Sequence, residues 1–126
     1  TWGKLSGTKV VVFSDFRCGY CRQLSDTLRQ LNVKVEERPI SVLGTRKLSE
    51  AVYCSRDKVS ALHAAYAGET PEARACDTSG LDANEAFARK HGFTGTPVIV
   101  RADGEVIQGF RPAPALAAWL KAKTAA

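Results

Sequence analysis

Two cysteines, Cys18 and Cys21, stand two residues apart in the run Cys18-Gly19-Tyr20-Cys21. Thiols at that spacing close a small disulfide ring or open to a dithiol, and zinc sites use the same spacing. The pair follows the apolar run Val10-Val11-Val12-Phe13 and leads into a helix-like segment over residues 22–31. Cys18 is therefore expected at a helix N-terminus, where unpaired backbone N–H groups and the helix dipole favour a thiolate. A thiolate attacks a disulfide sulfur and a thiol does not, so the placement makes the pair a candidate redox centre.

Two more cysteines, Cys54 and Cys76, lie 22 residues apart. Four cysteines allow three pairings, and Cys18 with Cys21 plus Cys54 with Cys76 is the one consistent with both members of the close pair lying on one helical turn. In a reducing cytosol the distant pair would be free thiols. In an oxidising compartment it closes a medium loop, worth about 3 kcal/mol in the chain-entropy model. A zinc site needs four ligands, usually two Cys-x-x-Cys pairs or one with a matching pair of histidines. The only histidines, His63 and His91, have no metal spacing, and Cys54 and Cys76 are not a second close pair. No metal and no cofactor are expected; a cysteine-based metal-binding module is the non-enzyme alternative.

A second element is Thr94-Gly95-Thr96-Pro97. In a βαβ–ββα arrangement this loop faces the N-terminus of the first helix. A cis Pro97 would turn the Thr96 backbone toward the thiols; the bland alternative is an ordinary trans loop proline. Asp15, three residues before Cys18, is read as a proton acceptor or as a helix-approach cap. His91 is assigned to a helix C-terminus and His63 to a helix face, Trp2 to a linker and Trp119 to the core.

The elements that must hold these residues are legible in outline. Residues 8–13 read as a buried strand, 14–17 as a turn, and the first helix carries Leu24, Leu28 and Leu31 at helical spacing. Residues 33–40 alternate as a second strand that Pro39 ends or leaves at an edge. Thr45 opens a helical stretch with Leu48, Val52, Ser55, Val59, Leu62 and Tyr66 along one face and a break near Asp57. Residues 68–80 form a loop holding Cys76. Asp82 is read as an N-cap with Glu85 completing its box, and Gly92 as the stop. Val98-Ile99-Val100 and Glu105-Val106-Ile107-Gln108 flank an Asp103-Gly104 turn as a hairpin, and Pro114 opens a last helix. The order is β-α-β, a helical block, then β-β-α.

The chain has 126 residues, a net charge of +5 and 44% hydrophobic residues, which suits one soluble domain. No apolar run approaches the roughly 20 residues of a membrane span, so no membrane insertion is expected. Lys and Arg are scattered without a basic stripe, which argues against nucleic acid as a partner. A chain that starts at Thr1 and holds no Met is expected to have lost an upstream segment, with residues 1–7 as a linker remnant.

Cys18-Gly19-Tyr20-Cys21, Thr96-Pro97 and the element order together resemble the thioredoxin fold, an α/β fold of βαβ–ββα type, here with a helical insertion. More closely, residues 10–121 resemble the catalytic domain of periplasmic disulfide isomerases of the DsbC and DsbG type. Phe13-Ser14-Asp15 precedes the motif, Cys54 lies in the insert, Cys76 follows it, and Gly95-Thr96-Pro97 precedes the hairpin. Gly-Tyr between the cysteines is DsbC-like, whereas DsbG-like members carry Pro-Tyr and the monomeric oxidase DsbA carries Pro-His.

The resemblance implies a catalytic domain over residues 8–126, its insert at about 45–92, with Cys18 attacking and Cys21 resolving. It implies a structural disulfide between Cys54 and Cys76, a cis Pro97, and substrate contacts at Gly19, Tyr20, Thr96 and Pro97. The implied activity is thiol–disulfide exchange on misfolded or misoxidised secreted proteins in the bacterial periplasm, as isomerase or reductase, with a DsbD-type membrane reductase keeping the pair reduced. The alternative is a dithiol oxidase working as a monomer. DsbC-like proteins are homodimers through an N-terminal dimerisation domain and linker helix that this chain does not contain, so an excised domain or a naturally short relative is expected.

Overall fold

The computed structural model describes residues 1–122; residues 123–126, the end of the expected catalytic domain, lie outside the described residues. Five strands form one sheet: Trp2–Gly3 (β1), Thr8–Ser14 (β2), Val33–Pro39 (β3), Val98–Arg101 (β4) and Val106–Gln108 (β5), in the order β1-β3-β2-β4-β5. β2 runs parallel to β3 and antiparallel to β4, while β1 and β5 pair antiparallel at the two edges. The helices are Gly19–Arg29 (α1), Arg46–Tyr53 (α2), Lys58–Tyr66 (α3), Ser79–Lys90 (α4) and Ala113–Lys121 (α5).

β2 is central because its β-branched run suits a strand buried on both faces. Val10 and Val12 point to one face, where Leu24 and Leu28 of α1, Leu62 and Tyr66 of α3, and Leu116 and Leu120 of α5 complete the larger core. Val11 and Phe13 point to the other, against Ile40, Ala88, Val98 and Phe93. There Phe13 stacks on Phe87 of α4 with ring centroids 5.4 Å apart. The hairpin β4–β5 turns at Gly104, whose φ of 94° only glycine adopts freely. Arg101 ties it to α5: its guanidinium clasps Asp103, donates to Trp119 O at 2.6 Å and lies over the half-buried Trp119 ring.

Three local readings need correction: Trp2 as linker, one continuous face across the second helical stretch, and Asp82 as an N-cap. Trp2, assigned to a linker, is buried: β1 pairs Trp2 with Val35, and the ring meets His63 edge-on at 5.3 Å. The break near Asp57 makes two helices, with Asp57 capping α3 through Ser60 N–H at 3.0 Å. The face expected to be continuous therefore loses its phase, and Val59 is exposed. α4 starts at Ser79, three residues before Asp82, because Asp77 takes the Ser79 N–H at 2.9 Å. Asp82 and Glu85 instead both reach Arg46 of α2, at 2.8 and 2.6 Å. Pro39 ends β3, which is an interior strand flanked by β1 and β2.

Candidate active site

Where β2 ends, the chain turns sharply into α1. Cys18 N–H donates to Asp15 O at 3.1 Å, and Cys18 becomes the N-cap residue of the helix. Its Sγ accepts the Cys21 N–H at 3.2 Å, the contact an anionic sulfur favours at a helix N-terminus. On the other side the Thr96-Pro97 peptide is cis, and the Cys18 Sγ–H donates to Thr96 O at 3.6 Å. Gly109 N–H to Pro97 O, 2.8 Å, anchors that loop to the hairpin. The two motifs, 78 residues apart, thus meet at one sulfur.

The cysteines are unequal. Neither is in a disulfide, and Cys21 is 1% exposed against 8% for Cys18. Burial first, and then the neighbouring Cys18 sulfur, push the Cys21 thiol far above the ordinary thiol range. Beside Cys18, Tyr20 stands 62% exposed and stacks on Phe110 with centroids 6.5 Å apart. Gly19, with nothing within 4 Å of where a Cβ would lie, leaves the approach open.

Asp15 caps the turn that approaches α1, while Cys18 is the N-cap residue of the helix itself. The Asp15 carboxylate is buried, with Oδ1 accepting from Arg17 N–H at 2.9 Å and Oδ2 from Leu43 N–H and the Thr45 hydroxyl, each at 2.8 Å. It clamps the active-site turn to the loop over residues 41–45. Sequence reading missed that loop and also Glu37, on the β3 face that carries Val33 and Val35. Their alternation was the available signal, since the next inward position is residue 37.

Glu37 accepts from Trp2 Nε1 at 2.9 Å and from the Tyr66 hydroxyl, beside the buried Ser14. Burial lifts the Glu37 carboxyl above its ordinary value of 4.5, against the pull of its donors. Burial, and then Glu37 itself, lift Tyr66 well above 10.0. A carboxyl raised on folding holds its proton more tightly in the native state. Its contribution therefore favours the fold at low pH and is lost as pH climbs from the unfolded value through the folded one. In denaturant titrations, the stability of Glu37→Gln minus that of the wild type is expected to rise with pH from about 4.5 upward. A flat difference would show that the carboxyl is not raised.

Cys54 and Cys76 are joined by a disulfide, with Cα atoms 5.6 Å apart, which fastens the 68–78 loop to the end of α2. Arg46 pairs with Glu50 within α2 and crosses to Asp82, Glu85 and Thr78 at the start of α4. Removing the bridge as Cys54→Ala/Cys76→Ala is expected to cost about 3 kcal/mol in urea unfolding. A loss under 1 kcal/mol would mean that the loop is held without it.

The histidines lie elsewhere. His63 packs on Trp2, its imidazole pushed down by burial and by Arg29. His91 ends α4 and lies 4.1 Å from the Phe87 ring on the opposite side of the sheet from α1. Among the described residues, no group of three or more His, Cys, Asp or Glu is placed to hold a metal ion. No helix among them is long and apolar enough to cross a membrane.

Residues 3–124 match the family model described as a thioredoxin-like domain. The chain is 29% identical over 110 residues to the thiol:disulfide interchange protein DsbC of Escherichia coli K12, covering 82% of this chain and 46% of that protein. It is 32% identical over 117 residues to DsbC of Haemophilus influenzae, covering 86% and 51%. The chain thus spans about half the length of the curated relatives it matches. Among solved structures, a disulfide interchange protein from Neisseria gonorrhoeae superposes with a TM-score of 0.79 at 23% identity, covering 93% of this chain and 88% of that one. A periplasmic thioredoxin-like protein from Salmonella enterica serovar Typhimurium does so at 0.64 and 26%, covering 99% and 89%.

Proposed function

The chain belongs to the thioredoxin-like domain family, and from that premise we propose that it is a thiol–disulfide oxidoreductase domain that corrects wrong disulfides in secreted proteins. The observation that carries this reading is the position of Cys18 Sγ, at the N-terminus of α1 and 3.6 Å from Thr96 O at the cis peptide. Cys18 as a thiolate attacks one sulfur of a substrate disulfide. That bond breaks, a mixed disulfide forms, and the other substrate sulfur leaves as a thiolate.

Two exits follow. In isomerisation, a substrate thiolate attacks the substrate sulfur of the mixed disulfide, makes a new substrate disulfide and returns Cys18 as a thiolate, with no net oxidation. In reduction, Cys21 gives up its proton and attacks Cys18 Sγ, which forms the Cys18–Cys21 disulfide and releases substrate reduced by two electrons. A dithiol reductant must then reopen the pair. The raised proton affinity of Cys21 slows the second exit and leaves time for the first, which favours isomerisation. Thr96 offers backbone groups to an extended substrate segment, and Gly19, Tyr20 and Pro97 border it.

The similarity to DsbC, together with the periplasmic Salmonella neighbour, supports a periplasmic location. A DsbD-type membrane reductase and a homodimer built on an N-terminal dimerisation domain are the partners the same similarity favours. Refolding of scrambled ribonuclease tests the direction. The isomerase reading expects activity to return with the reduced protein in catalytic amount. Failure there, with rapid disulfide formation in reduced ribonuclease, would assign the oxidase direction instead.

A further inference from the structure

We propose that the seam between α1 and α3 is a second substrate contact, in which Arg22 and Arg29 hold the carboxylate of an acidic residue flanking the substrate's cysteine; this rests on the exchange function above and names its preferred substrate. Arg22 and Arg29 are both exposed and lie two turns apart on α1, so their side chains leave one face of the helix about 10 Å apart along its axis. Both line a notch of about 90 Å³, with Asp26 of the same helix and His63 and Tyr66 of α3 among its other walls. Exposed Arg17 joins them at the end of α3, its guanidinium donating to Ala65 O at 2.9 Å.

The needs of the fold do not account for this placement. Arg29 in the last turn of α1 suits the helix dipole, but Arg22 stands in the first turn, where the dipole disfavours a cation and α1 carries no acidic residue. Asp26 does not neutralise the face. Among the described residues, neither it nor Glu69, exposed just past α3, forms an ion pair with Arg17, Arg22 or Arg29. His63, on the wall of the notch, reports the sign of the field. After burial, Arg29 does most to push its imidazole down, and the opposite pull of Asp26 is the smaller.

The seam starts at the nucleophile. Arg17 is the residue before Cys18, and Arg22 N–H donates to Cys18 O at 3.1 Å, which places Arg22 one turn, about 6 Å along the axis, from Cys18. A substrate held by a mixed disulfide at Cys18 advances about 3.3–3.6 Å per residue. On the side of its cysteine that runs along α1, its second and third residues therefore come to Arg22, with Arg29 beyond. Their contact is intramolecular once the bond has formed. A guanidinium takes a carboxylate through two parallel N–H···O bonds, and the exposed seam leaves those donors in reach of an incoming chain.

The test compares two peptide disulfides that differ only in Glu or Gln at the second and third positions on each side of the cysteine. Each is reduced by the wild type and by Arg22→Gln/Arg29→Gln, which keeps good helix formers at two exposed positions. Arg89→Gln/Lys90→Gln, on α4 across the sheet, removes the same net charge and is the control. At low salt the wild type is expected to favour the Glu peptide about threefold in kcat/KM, mostly through KM. The α1 variant brings that ratio close to one, and so does raising salt from about 20 to 500 mM with the wild type. The control keeps most of the preference. A wild type without preference would overturn the contact alone, as would an equal fall of the ratio in both variants, which would mean net charge, or an equal loss for both peptides, which would place the arginines' effect on Cys18. No turnover of either peptide by the wild type would overturn the exchange reading and the contact with it.

Discussion

Cys18→Ser is expected to lower the rate of insulin reduction by at least about 10³-fold, because a serine hydroxyl at neutral pH supplies almost no anionic nucleophile where a thiol does. The side chains are close in shape, so the N-cap geometry and the loop at Pro97 stay in place and the loss is chemical. Cys21→Ser acts differently. It leaves the attack by Cys18 intact and removes the internal exit, so reduction fails while scrambled substrate is still reshuffled. A Cys18→Ser protein that kept a tenth of the wild-type rate would place the nucleophile elsewhere.

Asp15→Ala is expected to cost roughly 3–5 kcal/mol in urea unfolding, since it strands the Arg17 and Leu43 N–H groups and the Thr45 hydroxyl in a buried space. Asp15→Asn keeps the shape and one acceptor oxygen, but its amide N–H groups then face a donor, so about half that loss is expected. Because Asp15 also sets the turn before Cys18, both variants are expected to slow disulfide exchange in the same order. A change within 1 kcal/mol for Asp15→Ala would mean that solvent reaches the site and satisfies those donors. Equal losses for the two variants would point to the negative charge, which both remove, as the source of the effect.

Asp15 also shows where sequence reading stops. Its proximity to Cys18 in the chain invited a role in proton transfer, whereas its three donors come from residues 17, 43 and 45, a set that no local pattern displays. What was legible was local or periodic. Val10 to Phe13 declares a buried strand, Leu24 and Leu28 a helix face, and Asp103-Gly104 a hairpin turn. Cys18-Gly19-Tyr20-Cys21 and Thr96-Pro97 stand out as short motifs, and the βαβ–ββα order brings the two loops to the same end of the sheet. The misreadings share a cause: a residue satisfied by a distant partner. Asp82 resembles a cap and serves Arg46 instead. Trp2 resembles a linker residue until Glu37 and His63 supply its partners. Glu37 sits in strand rhythm with Val33 and Val35, but only the tertiary structure shows Tyr66 and Trp2 waiting there.

The most direct measurement is intact-protein mass spectrometry of the Cys21→Ala variant after incubation with a peptide disulfide. With the resolving thiol gone, exchange is expected to stop at the mixed disulfide. The protein should gain the mass of one peptide thiol less two hydrogens, reversible by dithiothreitol and mapped by proteolysis to Cys18. No adduct, or an adduct at any residue other than Cys18, would contradict the account.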